Sequence, residues 1–153
     1  MKKISQLISV IMLFTIVGIY ACSKTETPAP VIPPAPVNNS FLTIDTAKSA
    51  MTVTCASVTG KYAIKGISND STITCELDFQ NQPMADGTFF AGATLDAGNY
   101  LFSFTKNGTV YTASVGGSLT VTINNGKITA AFTALRTKNG LVIKNIDGNL
   151  ECK

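Results

Sequence analysis

Three aspartates in the middle of the chain could do chemistry together. Asp78, Asp86 and Asp96 lie in or beside the least regular segment, residues 79–100. A pair of carboxylates can hydrolyse a glycosidic bond without another kind of catalytic residue. The chain contains no histidine, which removes the Ser-His-Asp and Cys-His nucleophile systems and histidine-ligated metals. Glycan hydrolysis by carboxylates is the catalytic class that survives this test.

The same segment offers oxygen ligands for a hard cation. Asp78, Asp86, Asp96 and Asn99 are expected in loops or at strand ends, where their oxygens would suit calcium. No run with the spacing of an EF-hand loop occurs, however, and Asp86-Gly87 is ordinary turn sequence. We therefore predict that the chain has no catalytic residue, no metal site and no cofactor.

Alternation of apolar and polar residues with a period of two describes the elements that must position any site. Ile73, Cys75, Leu77 and Phe79 are separated by single polar or charged residues, and residues 119–123 repeat the pattern. Such alternation is typical of β-strands with one buried face. No amphipathic helix is predicted after the first 21 residues.

Asn-Gly pairs mark the turns between these strands. They occur at Asn107-Gly108, Asn125-Gly126 and Asn139-Gly140, and Asn-Gly supplies the positive φ angles of type I′ hairpin turns. With Gly116-Gly117 linking the first two hairpins, residues 100–135 are predicted to form a four-stranded antiparallel meander.

Residues 41–153 are predicted to form one all-β domain. A segment of this length is the usual size of a domain, and its eight or nine short strands favour an antiparallel β-sandwich. A small closed β-barrel is the alternative, because a barrel shows the same alternation. The chain has no tryptophan and so lacks the Gly-x-Trp strand typical of lipocalin-like barrels, which favours the sandwich.

Three cysteines in this domain, Cys55, Cys75 and Cys152, are expected to point into the apolar layer because their strand faces are apolar. They lack C-x-x-C spacing, and three thiolates make a poor zinc site. An extracytoplasmic address favours one disulfide and a buried free thiol over three reduced core cysteines. The favoured pair is Cys75 with Cys152, and Cys55 is the alternative partner.

The start of the chain predicts export and lipidation. Lys2-Lys3 precedes an apolar stretch at 8–20, which makes residues 1–21 a signal peptide. Ile19-Tyr20-Ala21-Cys22 resembles the lipobox of bacterial lipoproteins. The resemblance implies cleavage before Cys22 and attachment of diacylglycerol, and of a further acyl chain such as palmitate, to that cysteine. Two or three acyl chains make a stable membrane anchor.

Residues 22–40 are predicted to be a tether. Five of the six prolines of the chain lie in this segment, and proline-rich segments form extended, semi-rigid spacers. Without the two lysines of the signal peptide, the chain has 10 basic and 9 acidic residues. This balance, with a single arginine, lacks the clustered positive charge that nucleic-acid binding requires.

Two further features bear on ligands and modification. Tyr100, Phe102 and Phe104 share one strand face and are expected in the core, whereas a deep pocket lined by Phe102, Phe104 and Phe132 would indicate an apolar ligand. Asp45-Thr46-Ala47 resembles the acceptor motif of a bacterial extracytoplasmic O-glycosylation system, which makes Thr46 a candidate acceptor.

The layout of lipobox, proline-rich tether and one β-rich domain resembles the small lipoproteins that some Gram-negative bacteria make. The resemblance implies a location and an architecture, and it carries over no activity. Ser23 after the lipidated cysteine favours the outer membrane. We expect a non-enzymatic envelope lipoprotein, held in the membrane through Cys22, that binds a protein or glycan partner. A carrier of an apolar small molecule is the second interpretation, and a small glycan-active enzyme is the third.

Overall fold

A computed structural model of the protein describes residues 39–153. The predicted signal peptide, the lipidation site Cys22 and residues 22–38 of the predicted tether lie outside this range. No helix in the described range is long and apolar enough to cross a membrane. The strands in this range are β1 (Phe41–Ile44), β2 (Ala47–Val58), β3 (Lys61–Ser68), β4 (Ile73–Phe79), β5 (Gly87–Ala91), β6 (Asn99–Lys106), β7 (Thr109–Ala113), β8 (Ser118–Asn124), β9 (Lys127–Asn139) and β10 (Val142–Glu151).

Nine of these strands form one sheet that closes on itself. Around the barrel the order is β1, β2, β3, β4, β6, β5, β8, β9 and β10, and β10 pairs back with β1. The remaining strand, β7, bridges β6 and β9. The all-β prediction is confirmed, and the architecture is the barrel that the sequence offered as the alternative to a sandwich. Pairing β10 with both β1 and β9 closes the sheet, so the backbone N–H and C=O groups that would be unpaired on the edge strands of a sandwich are hydrogen-bonded here.

The predicted hairpins form, but the predicted meander does not. Asn107, Gly108, Asn125 and Gly126 all have positive φ angles, between 50° and 78°, as type I′ turns require. The next strand, β8, does not pair with β7, because β8 pairs with β5 and β9 instead. The N–H of Ala91, at the end of β5, donates to the carbonyl oxygen of Gly117 at 2.6 Å.

The strand directions give the barrel two distinct ends. The end that carries the β1–β2, β3–β4, β6–β7 and β9–β10 connections is called the tip end. The opposite end, called the base end, carries the β2–β3, β4–β5 and β8–β9 connections and both ends of the described chain.

Buried apolar side chains from alternate strand positions fill the barrel interior. The Phe102 ring lies 5.1 Å from the Phe132 ring and 6.5 Å from the Phe104 ring, measured between centroids. Tyr100, Phe102 and Phe104 are all buried, which confirms their predicted place in the core. The buried apolar residues of the described range run from Leu42 to Cys152 and form one cluster, so we expect residues 39–153 to fold on their own.

The structure corrects the favoured disulfide. Cys152 is bonded to Cys55, the alternative partner, and Cys75 is a buried free thiol. The short strand β1 separates β2 from β10 only as far as Phe41, which faces Ala50 and Asn149. Ser40 extends this separation by one residue, since its carbonyl oxygen accepts from the N–H of Met51. Beyond Ser40, Cys55 of β2 and Cys152, one residue past the end of β10, meet. Cys75 lies two strands away from Cys55, on β4.

Candidate binding groove

A groove of about 410 Å³ crosses the outer face of the barrel over β4 and β6. Its floor consists of outward-facing residues that alternate with core residues, namely Glu76 and Asp78 on β4 and Leu101 and Ser103 on β6. The β5–β6 loop and the residues at the end of β7 form its walls. The groove therefore depends on β7, the strand outside the nine-stranded ring.

Lysines of β3 neutralise the carboxylates of the groove. Lys61 Nζ donates to Glu76 Oε1 at 2.7 Å and to Asp78 Oδ2 at 2.8 Å, and Lys65 Nζ lies 3.5 Å from Glu76 Oε2. Antiparallel pairing sets this arrangement, because Ala63 lies opposite Asp78 and Lys65 lies opposite Glu76. Side chains directly opposite each other share a face of the sheet.

Asp78 is the most buried member of the cluster. Its side chain is 15% exposed, compared with 31% for Lys61 and 33% for Glu76. Asp78 Oδ1 is buried and has no hydrogen-bond partner among residues 39–153. An unpaired buried acceptor costs roughly 1–3 kcal/mol, so the Asp78 carboxylate has an acceptor capacity that no donor in the described range uses.

The two carboxylates have opposite pKa shifts. The hydrogen bond from Lys61 holds the pKa of Glu76 below its ordinary value. Burial raises the pKa of Asp78, and the hydrogen bond from Lys61 only partly opposes this. The pKa of Lys61 is raised by its hydrogen bonds to Asp78 and Glu76. Lys61 therefore stays an ammonium. For Asp78, the cost of burying the charged carboxylate is only partly offset by its hydrogen bond from Lys61.

The aspartates that were singled out from the sequence are not brought together. Asp86, Asp96 and Asn99 line a separate pocket of about 520 Å³ formed by the β4–β5 and β5–β6 loops, whereas Asp78 lies in the groove. Within residues 39–153, no group of three or more His, Cys, Asp or Glu side chains is arranged to hold a metal ion.

Asp86 and Asp96 each accept a hydrogen bond, Asp86 from strand β8 and Asp96 from its own loop. Asp86 Oδ1 accepts from the backbone N–H of Ile123 at 2.7 Å, and Asp96 Oδ2 accepts from the Thr94 hydroxyl at 2.6 Å. Both carboxylates therefore stabilise local structure at the base end.

Two other predicted features have clear positions. Phe102, Phe104 and Phe132 pack against one another in the interior rather than around an open pocket. Thr46 lies exposed in the turn between β1 and β2, where it is accessible to a modifying enzyme. Its glycosylation stays a prediction.

Neither Glu76 nor Lys61 is predicted from the sequence as a partner of Asp78. The sequence does contain a signal for Glu76, because residues two apart on a strand share a face of the sheet. The sequence contains no such signal for Lys61, since its position beside Asp78 depends on the pairing register of β3 and β4.

No family model matches the chain, and comparison with the curated proteins and with the solved structures also gives no match. The assignment of function therefore depends on the groove and on the sequence.

Proposed function

We propose that the barrel is a non-catalytic binding module that holds a glycan in the groove, and that a lipid at Cys22 anchors it in the cell envelope, at the outer membrane. One observation carries the choice of ligand. Asp78 lines the floor of an open groove, and its buried Oδ1 has no donor among residues 39–153, so a sugar hydroxyl in the groove is a donor from which the carboxylate can accept once its side chain turns toward the ligand.

The rest of the groove supports a ligand with both polar and apolar surfaces. The hydroxyl groups of Ser103 and Thr112 lie side by side on paired strands, and Leu101 and Val115 add apolar surface. A sugar ring has a hydroxyl rim and apolar C–H faces, so it can use both kinds of group. The volume of the groove lies in the range of about 300–1,000 Å³ that is usual for small-ligand sites.

A glycan-active enzyme is the second candidate. The two oxygens that Lys61 binds are at most 5.5 Å apart, the sum of 2.7 and 2.8 Å, and retaining glycosidases separate their carboxyl groups by about 5–5.5 Å. The opposite pKa shifts of Glu76 and Asp78 also resemble an acid and base pair. However, the reacting sugar carbon must lie between the carboxylates, and the Lys61 ammonium occupies that position. This favours binding over hydrolysis.

The filled interior weighs against a carrier of apolar molecules. Phe102, Phe104 and Phe132 take up the interior space that such a ligand would need. The membrane anchor is supported by the lipobox at Cys22 and the proline-rich segment after it.

Binding can be tested with the soluble chain 39–153 on a panel of bacterial envelope glycans, followed by calorimetry with any glycan that binds. Asp78→Asn should weaken binding about tenfold or more, because a hydrogen bond to a charged group contributes about 1.5–3 kcal/mol. Asp96→Asn is the matched control, because Asp96 lines the other pocket, and it should leave the affinity unchanged.

Prolonged incubation separates binding from hydrolysis. The bound glycan should be recovered intact, and release of a shorter sugar that stops in Asp78→Asn would establish the enzyme instead. Equal affinity of the wild type and Asp78→Asn, or no binding to any glycan, would contradict the proposed site.

A further inference from the structure

Exposed aliphatic side chains are concentrated at one corner of the tip end. Leu141 in the β9–β10 turn is 100% exposed, and its neighbours Val142 and Ile143 are 51% and 52% exposed. Val110, at the start of β7, is 50% exposed, and its carbonyl oxygen accepts a hydrogen bond from Asn139 Nδ2 at 2.6 Å. We call these four aliphatic residues the apolar tip.

Basic side chains surround the apolar tip. Lys138 lies directly opposite Ile143 and Thr112 in the sheet, and Arg136 is one alternate position further along β9. Lys106 and Lys144 lie on the adjoining strands at the same end. The acidic groups at the tip end include Asp45, which is paired with Lys144 at 2.7 Å, and Asp70 in the β3–β4 turn. This corner of the barrel therefore carries an excess of positive charge.

The base end has the opposite charge. Its basic residues are Lys61, Lys65, Lys127 and Lys153, and its acidic residues are Glu76, Asp78, Asp86, Asp96 and Glu151, an excess of one acidic group. The nearly neutral total charge of the domain thus conceals a separation of charge along the barrel axis, and the apolar tip is at the positive end.

We propose that the apolar tip and its basic rim dock into a membrane surface that carries anionic lipids. The aliphatic side chains would enter the boundary between headgroups and acyl chains, while Lys106, Arg136 and Lys138 would face the lipid phosphates. Interfacial binding of this kind combines apolar burial with attraction to anionic lipid.

The arrangement of the aliphatic residues fits a bilayer better than a protein partner. Val142 and Ile143 are consecutive strand residues, so their side chains point to opposite faces of the sheet, and Leu141 projects beyond both. A protein that docked on one face would leave the other face in water, whereas immersion of the turn in lipid buries all three side chains. A stable protein interface also needs about 20–30 residues on each side, far more than the apolar tip provides.

Vesicle co-sedimentation of the chain 39–153 tests this proposal without the lipid anchor. The chain should sediment with vesicles of phosphatidylcholine and phosphatidylglycerol, and much less with phosphatidylcholine alone. The double variant Leu141→Asn/Ile143→Asn should lower the partition coefficient about tenfold or more. Lys138→Glu should lower it about fivefold or more, since each basic residue near an anionic surface contributes roughly 1 kcal/mol.

Matched variants at the base end control for general effects. Met84→Asn removes another exposed apolar side chain and Lys153→Glu reverses a charge at the other end, and neither should change the partition coefficient. A fluorophore on Leu141→Cys should shift to the blue with anionic vesicles, whereas one on Met84→Cys should not. No sedimentation with anionic vesicles, equal sedimentation with neutral vesicles, or unchanged binding of the tip variants would overturn the proposal.

Discussion

Cys55 and Cys152 are 97 residues apart in the sequence and 5.7 Å apart between Cα atoms, joined by a disulfide. The bond closes the barrel wall beyond Phe41, the first residue of β1, where β2 and the end of β10 show no backbone pairing with each other in the described range. It therefore fixes the last residues of the chain to the second strand.

Removing this cross-link should destabilise the barrel. We expect Cys55→Ser/Cys152→Ser to lower the free energy of unfolding by about 2–5 kcal/mol, since a bond that closes so long a loop strongly restricts the unfolded chain. Urea unfolding followed by circular dichroism measures the change. Cys75→Ala removes a thiol but no cross-link, so it should lower the free energy of unfolding by less. Equal decreases in the two variants would contradict a stabilising role of the disulfide.

Thiol titration should reveal the states of the three cysteines. Burial raises the pKa of the Cys75 thiol to about 12, so the folded chain 39–153, kept from reductant, should not react with iodoacetamide near neutral pH. In denaturant a single thiol should react. Three reactive thiols in the denatured chain would show that the disulfide is absent.

Gly148 should tolerate no side chain. A Cβ at this position would overlap the ring of Phe132, which packs across the backbone there. We expect Gly148→Ala to cost about 1–3 kcal/mol of stability through overpacking. Gly87→Ala is the control, because its Cβ would meet the nearest atom at an ordinary 3.6 Å, and a similar loss in both variants would refute this explanation.

The two carboxylates of the groove should give opposite pH dependences. Burial raises the pKa of Asp78 above 3.8, so Asp78 reduces stability as the pH rises through its raised pKa. The pKa of Glu76 is below its ordinary 4.5. Its contribution to stability is therefore fully present above pH 4.5 and is lost as the pH falls through the lowered pKa. Relative to the wild type, Asp78→Asn should therefore gain stability between about pH 3 and pH 7, and Glu76→Gln should lose it.

Denaturant unfolding of the wild type and both variants across this pH range measures these differences. Parallel pH profiles for the two variants would show that Glu76 and Asp78 do not differ in environment as the structure indicates.

Cys22→Ser should remove the lipid anchor that holds the protein in the membrane. Without the thiol no diacylglycerol can be attached, and two or more acyl chains are what makes such an anchor stable. When cells that express the full chain are fractionated, Cys22→Ser combined with the tip variant Leu141→Asn/Ile143→Asn should be in the soluble fraction, while Ser23→Ala combined with the same tip variant should stay in the membrane fraction. Continued membrane attachment of the serine variant would disprove the anchor, provided that the tip variant Leu141→Asn/Ile143→Asn is combined with it.

The sequence alone predicted the local structure of the domain. Alternation at Ile73, Cys75, Leu77 and Phe79 marked β4, and the Asn-Gly pairs at 107–108 and 125–126 marked two hairpin turns. Both signals are local, because a strand with one buried face and a type I′ turn each impose their own residue pattern.

Only the tertiary structure decided how these elements combine. Barrel closure, the insertion of β5 between β6 and β8, the Cys55–Cys152 bond and the position of Lys61 beside Asp78 all depend on which distant strands become neighbours. A sandwich and a barrel require the same alternation along each strand, so the pattern cannot tell them apart. The partners of Cys152 and Asp78 are set by strand order and register, which no short stretch of sequence encodes.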